Sequence, residues 1–286
     1  MLMRYVDAGG IATRCLTAGD PGKPAVLLLH GLTLTADVWS RNIDALAADF
    51  HVVAPDLLGH GFTRAPGDAP PGIADKIGHL LALADALGLD RFALDGSSYG
   101  ALIAANLCLR APGRVSRLVI TGSGTCFNSE ADLAIFMARL WDNYHPRLTA
   151  MSPAEWREKL AVTVHDLASV PAELPWLLAL CYALPSMRAA WERSIGDLRT
   201  PAIFRPFRIL ERLEELTVET LVVWGRQDRG GKLESALAAT ARMPNARLIA
   251  YDDCAHVPML EQPDAYNRDV RAFLLDGIAA LGEPAR

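Results

Sequence analysis

The chain has 286 residues, of which 51% are hydrophobic and 21% charged. That composition excludes a mainly disordered chain. A net charge of −5 with no dense Lys/Arg block offers nothing to a phosphate backbone, so nucleic acid is not an expected partner.

In chain order, Arg4–Asp7 and Ile11–Leu16 read as strands, with Gly9 and Gly10 as their turn. Ala25–His30 is a continuous apolar run, which suits a parallel strand buried on both faces. His51–Pro55, Phe92–Asp95, Leu118–Thr121 and Thr220–Trp224 read the same way, and Arg247–Tyr251 reads as the last strand. Between them lie helical patterns: Ile73, Ile77, Leu80, Ala84 and Leu87 fall on one helix face, and Ala101–Arg110 and Leu233–Arg242 are further helices. A closing helix is expected from Pro263 to Leu281. This alternation predicts an α/β fold with a mainly parallel, doubly wound sheet and helices on both faces. From about Thr125 to Leu216 the apolar spacing is helical throughout, punctuated by Pro153, Pro171, Pro175, Pro185 and Pro201. The expected organisation is therefore a core domain of residues 1–124 and 217–286, interrupted by a helical insertion, 125–216.

Met1–Gly10 has no apolar run behind a basic end, so no secretory leader is expected. The most apolar stretch, Trp176–Leu184, is too short to span a bilayer. Cys15, Cys108, Cys126, Cys181 and Cys254 are scattered and odd in number, which suits free thiols in the cytoplasm. No CxxC or HExxH spacing suggests a metal, and no cofactor is expected.

Gly96-Ser97-Ser98-Tyr99-Gly100 is a G-x-S-x-G motif between a predicted strand and a predicted helix. The turn lifts its central hydroxyl above the sheet edge, and the helix N-terminus favours negative charge there. Spacing selects Ser98 as nucleophile. A hydroxyl needs a base within reach. His256 follows the last predicted strand, on the edge of a parallel sheet where ligands bind. Asp228 ends the loop after Leu221–Trp224; in the order Ser…Asp…His it would hold the imidazole tautomer. The oxyanion donors are expected to be the backbone N–H groups of Leu32 and Tyr99. Thr33 or Thr35 could add a hydroxyl. His30 reads as structural, pinning the neighbouring loops.

With these motifs in place, the chain resembles the α/β-hydrolase superfamily over nearly its whole length. The matching segments are LLLHG (27–31), PDLLGHGFT (55–63), GSSYG (96–100), LVVWGRQD (221–228) and HVPMLEQPDAYN (256–267). The resemblance implies that His60 is scaffold and that the insertion is a cap over the active site. It runs to the branch of bacterial esterases and meta-cleavage-product (carbon–carbon) hydrolases. Against the carbon–carbon enzymes, this chain has Ser97 where Asn is common, Val257 where an aromatic follows the histidine, and Cys181 where the cap arginine falls. Trp141 and Trp176 are further cap residues expected near substrate. The leading expectation is cleavage of a small or medium apolar ester. Carbon–carbon cleavage of a vinylogous diketone, lactone hydrolysis and a non-catalytic ligand receptor are the alternatives. The expected partner is a small-molecule ester or ketone, without a membrane; a homodimer is left open.

Overall fold

Eight strands form one sheet in the order β1-β2-β4-β3-β5-β6-β7-β8 in the computed structural model, which describes residues 1–281. They are β1 (Leu2–Asp7), β2 (Ala12–Ala18), β3 (Ala25–Leu29), β4 (His51–Pro55), β5 (Phe92–Ser97), β6 (Val115–Thr121), β7 (Thr220–Gly225) and β8 (Ala246–Tyr251). β1 pairs antiparallel with β2, and β2 with β4; every pairing from β4 to β8 is parallel. The continuous apolar runs β3, β4, β5 and β7 are buried along their whole length, as central strands with both faces covered must be. β1 is one edge of the sheet and is largely exposed. Gly9 and Gly10, with φ of 65° and 87°, make the β1–β2 turn in the left-handed region that favours glycine.

The helices α1 (Ile73–Ala86) and α2 (Tyr99–Arg110) precede the insertion. Between β6 and β7 the chain forms α3 (Glu130–Tyr144), α4 (Pro153–Ala161), α5 (Glu173–Tyr182) and α6 (Pro185–Arg199) with shorter helical turns, and no strand. Proline marks helix starts here: Pro153 and Pro185 occupy first-turn positions, where a missing N–H costs nothing. Ser152 and Glu155 close a capping box on α4. Beyond the insertion come α7 (Leu233–Thr240) and α8 (Pro263–Asp276). The closing helix stops short of the predicted Leu281 because Gly277, at φ 79°, turns the chain into a separate 3-10 turn at Ile278–Ala280.

The insertion's tryptophans mostly build its own core. Trp156 stacks on Tyr182 at 4.7 Å between ring centroids and tilts against Tyr144 at 5.8 Å. Trp191 is fully buried between Trp141 and Tyr144. Among the described residues, no helix is long and apolar enough to cross a membrane.

Candidate active site

The parallel strands bring their C-terminal ends to one edge, and the loops that follow β3, β5, β7 and β8 carry Leu32, Ser98, Asp228 and His256 to it. β5 runs directly into α2 through Ser98, whose φ of 54° and ψ of −114° are rare for a residue with a side chain. Such a conformation costs on the order of 1–3 kcal/mol and persists only when its surroundings hold it. They do. The Ser98 N–H donates to Thr121 O at 2.8 Å, and its carbonyl accepts from the Ala101 N–H at 3.1 Å, Ser123 Oγ at 2.7 Å and Thr125 Oγ1 at 3.2 Å. The flanking glycines are sterically required: a methyl at Gly96 would lie 2.6 Å from the Ala101 backbone nitrogen, and one at Gly100 2.3 Å from Leu29 O. Ser97, by contrast, is fully buried.

His256 Nδ1 lies 2.9 Å from Asp228 Oδ2 and 3.0 Å from Oδ1. A carboxylate only accepts, so Nδ1 carries the proton and the Nε2 lone pair is left for a hydroxyl. The Asp228 side chain is fully buried and accepts a further bond from the Gly230 N–H at 2.7 Å. The histidine loop is fixed from both sides. The His256 N–H donates to Thr163 O at 3.0 Å, and Glu261 accepts from the Ala255, Val257 and His165 N–H groups. Thr163 and His165 belong to the insertion, so this loop is tied to it as well as to the sheet.

Burial pulls the His256 pKa down, but the charge and hydrogen bond of Asp228, helped by Glu261, outweigh it and leave the pKa above 6.5. Only the neutral imidazole can take a proton from Ser98. The expected kcat/KM therefore climbs with pH through a midpoint above the ordinary histidine value and levels off beyond it. A pH–rate profile that falls steadily between about pH 5 and pH 8 would remove His256 as the base.

Leu32 and Tyr99 have backbone N–H groups without a protein acceptor among the described residues. The Leu32 turn is pinned by His30, whose Nδ1–H donates to Gly31 O at 2.8 Å while Nε2 accepts from the Leu57 N–H at 2.9 Å. Burial lowers the His30 pKa, which suits this neutral structural role. Asp95, without an assigned role in the sequence, is fully buried under Tyr266, whose hydroxyl donates to it at 2.8 Å; burial pushes its pKa up to about 7. It ties α8 to the strand below Ser98.

Ser98, Asp228 and His256 line one cavity of about 330 Å³, with Leu32, Thr33 and Tyr99. Leu34, Phe136, Met137, Leu140 and Val162 give it an apolar wall; Thr125, Arg139, Asn143 and Arg229 are among its polar groups. The expected substrate contacts Trp141, Trp176, Cys181 and Val257 do not line it. Trp141 is stacked on His145 at 4.0 Å between ring centroids. Trp176 is 65% exposed on α5. Cys181 is fully buried in the packing of α5, where burial pushes its thiol up to about 12. Val257 is buried in the core beside the histidine loop. Ser123, Thr125 and Glu261 are the positioning groups the sequence reading missed. All three act on backbone, a role that only the fold reveals, although an acid one helical turn after His256-Val257-Pro258 is a usable signal.

The chain belongs to the alpha/beta hydrolase family, whose model matches residues 26–269. It is 30% identical over 276 residues to a 2-hydroxy-6-oxo-2,4-heptadienoate hydrolase from Pseudomonas putida, covering 95% of each chain. Among solved structures it is similar to the 2-hydroxy-6-oxo-6-phenylhexa-2,4-dienoate hydrolase of a Rhodococcus strain, with TM-score 0.79, 29% identity and coverage of 94% of this chain and 96% of that one. A carboxylesterase from Bacillus subtilis shares the fold, with TM-score 0.80 at 24% identity over 97% of this chain and 92% of that one.

Proposed function

We propose that this protein is a serine hydrolase of small to medium apolar esters, with Ser98 as nucleophile, His256 as base and Asp228 as its orienting acid. The observation that carries the reading is the 2.9 Å Asp228–His256 contact opening on the same cavity as the strained Ser98. In the proposed reaction Ser98 Oγ attacks the ester carbonyl as its proton passes to His256 Nε2. The oxyanion accepts from the Leu32 and Tyr99 N–H groups. His256 then gives its proton to the leaving alkoxide, and an acyl-enzyme remains. Water activated by the same imidazole releases the acid. No step calls on a metal or cofactor. The helical insertion, 125–216, acts as the cap: Phe136, Met137 and Leu140 from α3 supply apolar wall above Ser98. The free, buried cysteines suit a reducing cytoplasmic setting.

Carbon–carbon hydrolysis is the second reading, favoured by the names of the relatives at 29–30% identity. A dienoate carries charge that needs a cation. Arg188, Arg193, Arg205 and Arg208 of the insertion do not line the catalytic cavity, whose guanidiniums are Arg139 and Arg229. Arg188 is paired with Glu192 and Arg193 with Asp197, while Arg205 and Arg208 line a separate cleft. On one preparation, p-nitrophenyl butyrate is expected to give a higher kcat/KM than a 2-hydroxy-6-oxo-dienoate. A dienoate faster by about tenfold, roughly 1.4 kcal/mol of transition-state preference, would replace the ester reading with the carbon–carbon one.

A further inference from the structure

We infer that the catalytic cavity is built for a substrate with a carboxylate remote from its scissile bond, read by Arg139 and Arg229. The inference rests on the ester reading and names a narrower class within it: half-esters of dicarboxylic acids. The chain as a whole is net negative, at −5. Yet the charged groups that line the cavity, apart from the Asp228–His256 pair, are two guanidiniums. Among the described residues, no carboxylate lies within ion-pair distance of either. Many other arginines are committed, including Arg188, Arg193, Arg242 and Arg271, each paired with an acid.

The two come from different parts of the fold. Arg139 stands on α3 of the insertion, and Arg229 follows Asp228 in the loop after β7. Asn143 lies one helical turn beyond Arg139 and lines the same cavity, adding an amide that can donate. Both arginines are solvent-exposed, which places them at the cavity rim rather than beside Ser98. Phe136, Met137 and Leu140 wall the same cavity as Ser98 and the two arginines. A ligand that fits these surfaces has a neutral ester at Ser98, a short apolar chain, and an anion at its far end. A guanidinium presents its donors in a planar fork that matches a carboxylate, so the pair would select for charge and for chain length.

The test compares esters of equal carbon-chain length, mono-p-nitrophenyl glutarate and p-nitrophenyl valerate. The half-ester is expected to have a kcat/KM about tenfold higher at low salt, with the advantage shrinking as salt screens the exposed arginines. Arg139→Gln and Arg229→Gln should each cut that ratio severalfold, and both together should abolish it. Arg157→Gln, an exposed arginine of α4 outside the cavity, should leave it unchanged. A ratio at or below one in the unaltered protein, or one indifferent to both cavity variants, would overturn the inference. Binding separates its failure from that of the ester reading. Calorimetry on Ser98→Ala should show monomethyl glutarate binding more tightly than methyl valerate, and the difference should vanish when Arg139→Gln is added. That binding preference without turnover of either aryl ester would retain the anion site and reject the ester chemistry. Turnover of valerate without the binding preference would do the reverse.

Discussion

Ser98→Ala is expected to lower kcat by about 10³–10⁶, while Ser97→Ala retains most of the activity. The two serines are adjacent, yet the backbone separates their roles. Ser97 is the last residue of β5 and fully buried. Ser98 occupies the strained turn, partly exposed and facing the cavity. Removing its hydroxyl removes the atom to which the acyl group would bond, and the remaining groups can only bind and polarise the ester. The turn itself should survive, since its bonds to Thr121, Ala101, Ser123 and Thr125 all use Ser98 backbone atoms. Circular dichroism of the variant should therefore match that of the parent. If Ser97→Ala were the inactive variant instead, the nucleophile would have been assigned one residue too far along the chain.

Asp228→Asn is the second large effect, with an expected loss on the order of 10⁴ in kcat. The carboxylate accepts from both the Gly230 N–H and His256 Nδ1. An asparagine oxygen can keep the Gly230 bond, which leaves its NH₂ facing Nδ1. Nδ1 is then pushed to accept, the ring proton moves to Nε2, and the lone pair that should take the Ser98 proton is gone. The variant also loses the charge that raises the His256 pKa, so any residual pH profile should shift to lower pH. A variant with near-parental kcat and an unshifted profile would place the orienting acid elsewhere.

Much of this was legible in the sequence for a physical reason. Strands buried on both faces leave unbroken apolar runs, and β3, β4, β5 and β7 were visible that way. Ser98 and His256 were legible because a strand–turn–helix motif and a loop after the last strand have fixed places at the edge of a parallel sheet. The insertion was legible as helices and, by the family resemblance, as a cap, but the residues that line the cavity were not. Phe136, Arg139, Leu140 and Asn143 make an ordinary amphipathic helix face in the sequence; only docking over the sheet edge turns it toward Ser98. The tryptophans misled for the complementary reason. Large aromatics serve a helical core as readily as a ligand, and Trp141 stacks within the insertion while Trp176 faces solvent.

Activation of a Ser98 nucleophile by the His256–Asp228 pair is best probed by covalent labelling. The protein is treated with a fluorophosphonate, digested, and the modified peptide located by mass spectrometry. A single stoichiometric adduct on Ser98 is expected, formed faster as pH rises through the His256 pKa and absent from Ser98→Ala. An adduct on Ser97 or another residue, or an active protein that the reagent does not label, would contradict it.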